Sequence, residues 1–262
     1  MSRIVEFSKY QGTGNDFVLI NQMEVQYDLT TEQIAFLCHR RFGIGADGLM
    51  FLRPVEGYDF EMVYYNSDGN PSSMCGNGGR CIVKFAYDLG YIQSETSFLA
   101  IDGPHFAKVD ADTVALQMID VEEIIAIDDE NTFELNTGSP HYIHFTDEIA
   151  DLEKIVTYGK IVRYSDKYAL EGINVNLVCD LGKNELFMAT YERGVEDETY
   201  SCGTGVTAAA LAYGYKHQLE GQVKVKTKGG NLWVNFINNG QQFYKVVLIG
   251  AATFIFKGSV EL

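Results

Sequence analysis

The chain has 262 residues, 46% of them hydrophobic and 21% charged, enough for one large domain or two smaller ones with real cores. Asp and Glu outnumber Lys and Arg by 36 to 20, for a net charge of −16. So acidic a surface argues against general nucleic-acid or anionic-membrane partners, although a pocket can still set a local field that accepts an acidic small molecule.

In chain order, alternating apolar residues predict strands at "RIVEFSKY" and "DFVLINQ", then a helix at "TTEQIAFLCHRR" behind a Thr cap. "FEMVYYN" reads as a strand, "CGNGGRCIVKFAYDLG" as a helix and "DTVALQMID" as a strand. "TDEIADLEKIVTYG" is the third predicted helix, followed by the strands "NVNLVCD" and "ELFMATYE" and the helix "CGTGVTAAALAYGYKH". Two of these helices reach a glycine, Gly90 and Gly159, as C-terminal caps do. "NLWVNFI" and "YKVVLIG" are the last clear strands, with hairpin turns at "KGGN" and "NNGQ". The apolar run "VVLIGAATFIF", Val246 to Phe256, is too short for a membrane span and reads as paired strands. The opening "MSRIVEFSKYQGTGNDF" has no apolar h-region, so no secretory signal is expected. Five cysteines without framework spacing point to a reducing cytosol, and with neither CxxC nor paired histidines no metal site is expected.

The order of elements repeats. "YQGTGNDFVLI" has a counterpart in "LNTGSPHYIHF", with Gly14 and Gly138 124 residues apart. "FGIGADGLMFL" parallels "LEGINVNLVCDL", and "MVYYNSDGNPSSMCGNG" parallels "MATYERGVEDETYSCGTG". The three correspondences keep their order and nearly their offset, which predicts a duplicated α/β unit. We place the halves at residues 1–117 plus 251–262, carrying Cys75, and 118–250, carrying Cys202; the last strand returns to the first half. Each half is expected to wrap strands around its own helix, with the active site in the cleft between them.

Cys75 and Cys202 each precede a glycine-rich helix start. Unpaired N–H groups and the positive end of the helix dipole there favour the thiolate. Gly76 and Gly203 leave the backbone N–H groups open to a carboxylate. Inverting a carbon centre by moving its proton needs a base on one face and an acid on the other, and a thiolate with a thiol meets that need without a cofactor. Only the singly deprotonated pair is productive, so the two titrations are coupled. Cys38, Cys81 and Cys179 read as core.

The stretches "YQGTGNDFVLI", "FGIGADG", "YYNSDGNPSSMCGNGGRC", "GSPH", "GINVN" and "YERGVEDETYSCGTG" together resemble the diaminopimelate epimerase family over nearly the whole chain. The resemblance implies a cofactor-independent isomerase that interconverts LL- and meso-diaminopimelate for lysine and cell-wall synthesis, is cytoplasmic and forms a homodimer. It implies an α/β (α+β) fold of two pseudo-symmetric domains, each a β-barrel-like sheet around a central helix. Carried over by residue, it makes Cys75 and Cys202 the catalytic acid and base. The backbone of Gly76, Asn77, Gly203 and Thr204 would hold the α-carboxylate, while Asn15, Asn66, Asn174, Glu192 and Arg193 would bind the substrate's polar ends. His141 and Glu192 would adjust the cysteines' pKa values. Ser139 and Gly48 stand where many members carry Asn and Gln, and the spacing from Glu192 to Cys202 is one residue longer than is common. The residues alone leave a proline or hydroxyproline racemase, a thiol-disulfide redox protein or a non-catalytic zwitterion binder as alternatives.

Overall fold

Strands outweigh helices in a computed structural model, which describes residues 4–72, 74–127, 130–240 and 242–262. The first elements are β1 (Ile4–Gly12), β2 (Asn15–Asn21), α1 (Thr31–Cys38), β3 (Gly48–Arg53), β4 (Phe60–Asn66), α2 (Gly76–Asp88), β5 (Glu95–Ala100), β6 (Gly103–Asp110) and β7 (Thr113–Gln117). Then come β8 (Ile125–Ala126), β9 (Thr132–Asn136), β10 (Pro140–Thr146), α3 (Leu152–Arg163), β11 (Asn174–Gly182), β12 (Glu185–Glu192) and β13 (Asp197–Thr199). The chain closes with α4 (Gly203–His217), β14 (Gly221–Thr227), β15 (Gly230–Asn238), β16 (Phe243–Ala251) and β17 (Thr253–Glu261). Arg3, where the first strand is predicted to begin, and Gln241 of the "NNGQ" turn lie outside the described residues.

Two compact units result, Met1–Leu116 with Gly250–Leu262, and Gln117–Ile249. In the first, β1 lies antiparallel to β2 and β17, and β2 runs parallel to β3 after the crossover that carries α1. β3 and β4 are antiparallel, β4 and β5 are parallel across α2, and β5, β6 and β7 form a meander. The second unit repeats this plan. β9 and β10 are antiparallel, β10 and β11 parallel across α3, and β11 and β12 antiparallel. β12 and β14 are then parallel across α4, and β14 and β15 form a hairpin. In each unit the sheet curls around its helix, α2 touching β1, β2, β3, β6 and β17, and α4 touching β9, β10, β11, β12, β14 and β15. The run from Val246 to Phe256 breaks at Ala252, and its second part, β17, returns to the first unit as the partner of β1.

Each unit has one helix sunk in the sheet. Every α2 residue from Gly76 to Ala86 is buried, as are all but Thr204 among the α4 residues from Gly203 to Gly214. Small residues permit this enclosure. Gly78 lets α2 approach the Met50 and Met62 side chains, and Gly79 lets it approach Met74. In α4 the run Ala208-Ala209-Ala210 sits in a core with Ile143, Val178, Met188 and Leu211.

Two predicted helices have different bounds in the structure. α1 stops at Cys38 rather than running on to Arg41, because the His39 backbone is extended and its Nδ1 accepts from the N–H groups of Arg41 and Phe42. α3 starts at Leu152 and not at Thr146, which ends β10; Asp151 caps it by accepting from the Lys154 N–H. Nor does Gly159 end α3, which runs to Arg163. Gly159 is where the helix meets the Tyr191 ring, and a Cβ there would stand 2.4 Å from Tyr191 Cβ. No described helix is long and apolar enough to cross a membrane. Gly159→Ala is therefore expected to overpack this contact and cost about 1–3 kcal/mol, seen as a lower urea midpoint at unchanged slope.

Candidate active site

Both cysteines of the repeated motif are helix N-caps with extended backbones, Cys75 (φ −117°, ψ 124°) before α2 and Cys202 (φ −112°, ψ 112°) before α4. Neither side chain makes a capping hydrogen bond. Each sulfur thus sits at the positive end of a buried helix dipole. Cys202 is 7% exposed, and Cys75 is more open.

In the first unit, Asn15 opens β2 beside Cys75. Its Oδ1 is 3.7 Å from Cys75 Sγ and accepts from Asn77 Nδ2 at 3.4 Å. Its Nδ2 donates to Asp47 Oδ2 at 2.6 Å. Asp47 in turn accepts from the Asp16 N–H and from Arg40, which also forks onto Asp16. Lys9 is buried against Asp16 at 2.6 Å and also donates to the Gly45 carbonyl. Burial pushes the Asp16 carboxyl up, but hydrogen bonds from Arg40 and Lys9 outweigh it and hold the group at about 2. Asn77, in the first turn of α2, accepts from Arg80, a fully buried guanidinium that also bonds the Gly76 carbonyl and Thr13. Asn66 ends β4 exposed at a turn, its backbone paired with Asn70. Gly48 has no room for a side chain, since a Cβ would stand 2.5 Å from the Tyr64 ring and 2.6 Å from the Tyr65 carbonyl oxygen.

In the second unit, His141 on β10 is fully buried between Asn176 and Thr204. Its Nδ1 is 3.2 Å from Asn176 Nδ2, and its Nε2 is 2.9 Å from Thr204 Oγ1. Thr204 Oγ1 lies 3.4 Å from Cys202 Sγ, and Thr137 donates to the Thr204 carbonyl. Gly205 makes this approach possible, because a Cβ there would stand 2.7 Å from Asn176 Oδ1 and 3.3 Å from His141 Cε1. Asn174, across from His141 in the parallel register, donates to Ser139 Oγ and the Pro140 carbonyl and accepts from the Arg193 N–H. Its amide thereby pins Arg193, whose guanidinium donates to the Glu171 carbonyl. Glu192 ends β12 and accepts from Thr199 at 2.8 Å.

The other thiols are of a different kind. Burial pushes Cys38 and Cys81 up to about 12, and Cys179 is raised by burial as well. Sequence reasoning did not single out Asp47, Arg80, Asn176 or Thr137, although each stands inside a quoted motif. The signal lay in the polar residues of "GADG", "GGRC", "GINVN" and "LNTG" that turn chemistry does not require.

Burial lowers His141 to about 3, with the Arg193 charge acting in the same direction. Since the folded value lies below the ordinary imidazole value, protonation favours the unfolded chain. The contribution is complete above pH ~6.5 and is lost as pH falls towards the folded value. The His141 ring is therefore expected to stay neutral at pH ~5, as read from its ring carbon NMR shifts; a midpoint near the ordinary value would contradict the burial.

The diaminopimelate epimerase family model matches residues 7–118 and 133–255. Diaminopimelate epimerase of Flavobacterium psychrophilum is 46% identical over 255 residues, covering 96% of this chain and 98% of that protein. The Chlorobaculum tepidum enzyme of the same name is 36% identical, covering 96% and 99%. Among solved structures, a PhzF-family phenazine biosynthesis protein of Bacillus anthracis has a TM-score of 0.71 at 11% identity, covering 98% of this chain and 99% of that one. A hydroxyproline epimerase of Agrobacterium vitis has 0.65 at 15%, covering 99% and 92%; both likenesses concern the fold. On the matched length and the identity to its relatives, the chain belongs to the diaminopimelate epimerase family.

Proposed function

We propose that the protein is a cofactor-independent epimerase that interconverts LL- and meso-2,6-diaminopimelate by a two-base mechanism, in lysine and peptidoglycan precursor biosynthesis in the cytoplasm. The observation that carries this reading is the cysteine N-cap on the enclosed helix of each of two topologically equivalent units. We assign one lobe of the enzyme to residues 1–117 with 251–262 and the other to 118–250.

In the reaction, one sulfur as thiolate takes the α-proton from one face of the carbon, and the other as thiol returns a proton to the opposite face. The proton count is conserved, and the sulfurs exchange roles with each turnover. Negative charge that develops as the C–H bond breaks spreads into the α-carboxylate. Backbone N–H groups of Gly76, Asn77, Gly203 and Thr204 are oriented by their helices to receive it. We assign the polar ends of the substrate to Asn15, Asn66, Asn174, Glu192 and Arg193, with Arg193 offering a fork suited to the distal carboxylate. The neutral imidazole of His141 acts on Cys202 through Thr204, 2.9 and 3.4 Å along that path.

Cys75→Ala and Cys202→Ala are each expected to lower the rate of LL-to-meso conversion by at least ~100-fold, whereas Cys38→Ala retains it. Full activity in either of the first pair refutes the assignment, and turnover of proline without diaminopimelate would move the protein to the racemase reading. The protein is also proposed to be a homodimer. Its β17 leaves Phe254, Ile255 and Phe256 half exposed on a strand, an apolar surface suited to association. Light scattering is expected to give twice the 29.3 kDa chain mass, and a Phe254→Asp, Phe256→Asp double variant to give the monomer.

A further inference from the structure

The described side-chain contacts at the two sulfurs, Asn15 at Cys75 and Thr204 at Cys202, differ in the polarity they offer. A carboxylate can only accept, so Asp47 holds the Asn15 amide with its NH₂ turned away from Cys75. A second lock acts from the other side. Arg80 can only donate, so Asn77 Oδ1 faces Arg80, and Asn77 Nδ2 is left to donate to Asn15 Oδ1. With both neighbours agreeing, a carbonyl oxygen faces Cys75 Sγ at 3.7 Å. That contact is a hydrogen bond only when the sulfur carries its proton.

Around Cys202 the logic is reversed. Asn176 Nδ2 donates to the Tyr142 carbonyl, and Asn176 Oδ1 accepts from Thr190, which fixes the amide. His141 Nδ1 therefore accepts from Asn176 Nδ2, and in the neutral ring the hydrogen is on Nε2. Nε2–H donates to Thr204 Oγ1, which leaves the Thr204 hydroxyl hydrogen available to donate to Cys202 Sγ at 3.4 Å. A donor there stabilises a thiolate.

We propose that the two cysteines rest in opposite protonation states, Cys75 as thiol and Cys202 as thiolate, with Asp47 and Asn176 as the positioning residues that set them through Asn15 and through His141 and Thr204. This rests on the epimerase reading and adds to it the direction in which the free enzyme is primed: it accepts first the isomer whose α-hydrogen meets Cys202. Helix dipoles act on both sulfurs alike. Charged and titratable groups on the Cys75 side include Arg80 and the Cys81 thiol on its own helix and, beyond Asn15, Asp47 with Arg40, Asp16 and Lys9. Arg80 favours a Cys75 thiolate and opposes the assignment, while the Asp47 carboxylate favours the thiol. On the Cys202 side, the titratable group reached through Thr204 is His141 on β10, on which the Arg193 charge also acts.

The test titrates single sulfurs by ultraviolet thiolate absorbance in the folded protein without substrate. Cys38 and Cys81 are silent in this range because burial pushes both up to about 12, and Cys179 is replaced by Ala in every variant. Cys202, read in Cys75→Ala, is expected to ionise at least about one pH unit below Cys75, read in Cys202→Ala. Adding Asp47→Asn to the Cys202→Ala background removes the acceptor-only partner of the Asn15 NH₂, leaving the Asn77 contact as the one remaining lock on that amide, and Cys75 moves down. Asp16→Asn removes the same charge without releasing that amide and moves Cys75 less. Adding Thr204→Val to Cys75→Ala moves Cys202 up. Cys75 ionising at or below Cys202, or Asp47→Asn acting no more than Asp16→Asn, overturns the proposal. The titrations need no turnover, so failure of the epimerase reading appears in isomer conversion and not here.

Discussion

Enclosure of one helix in each unit is the constraint on which the rest depends. A helix sunk in a sheet must be lined with small residues and must place its first-turn N–H groups somewhere other than bulk water. In α2 and α4 the glycines and alanines meet the first demand. The second leaves a positive, partly dehydrated spot at each N-terminus, and the chain puts a cysteine there twice. The role proposed for those sulfurs rests on the same packing that builds the core.

Duplication supplies the frame, but the copies have diverged in their polar contacts. In the first unit the residues behind the cysteine are charged: Lys9, Asp16, Arg40 and Asp47 form a cluster that terminates on Asn15. In the second they are neutral: Thr190, Asn176, His141 and Thr204 pass one chain of hydrogen bonds toward Cys202. One fold thereby offers two chemically distinct sulfurs, which a reaction that needs an acid and a base at once can use.

Much of this was legible in the chain. "FEMVYYN" and "ELFMATYE" coincide with β4 and β12 because they are short runs rich in apolar and aromatic residues, and the cysteine-glycine starts of α2 and α4 follow from local chemistry. The start of α3 was not, because Thr146-Asp147-Glu148 carries a capping pattern that pairing of β10 with β11 overrides, moving the cap to Asp151. Gly159 carries a terminator's signature, yet its role is set by a ring 32 positions away, Tyr191. Within the site, Asn174 and Asn176 share one motif, and only the parallel register with β10 tells them apart. Asn174 secures Ser139 and Arg193, and Asn176 secures His141. Gly48 reads as a lost side chain in the sequence; in the fold the Tyr64 ring already fills that space.

The central claim is that separate sulfurs take and return the proton, and the fate of solvent deuterium tests it most directly. Thiols hold a single hydrogen, so a proton taken by one sulfur is not the one delivered by the other. In heavy water at low conversion, the newly formed diaminopimelate isomer should carry one deuterium at the inverted carbon while the recovered starting isomer carries none. Deuterium entering the starting isomer as fast as the product forms would mean that a single group serves both faces, and the two-sulfur account would fall.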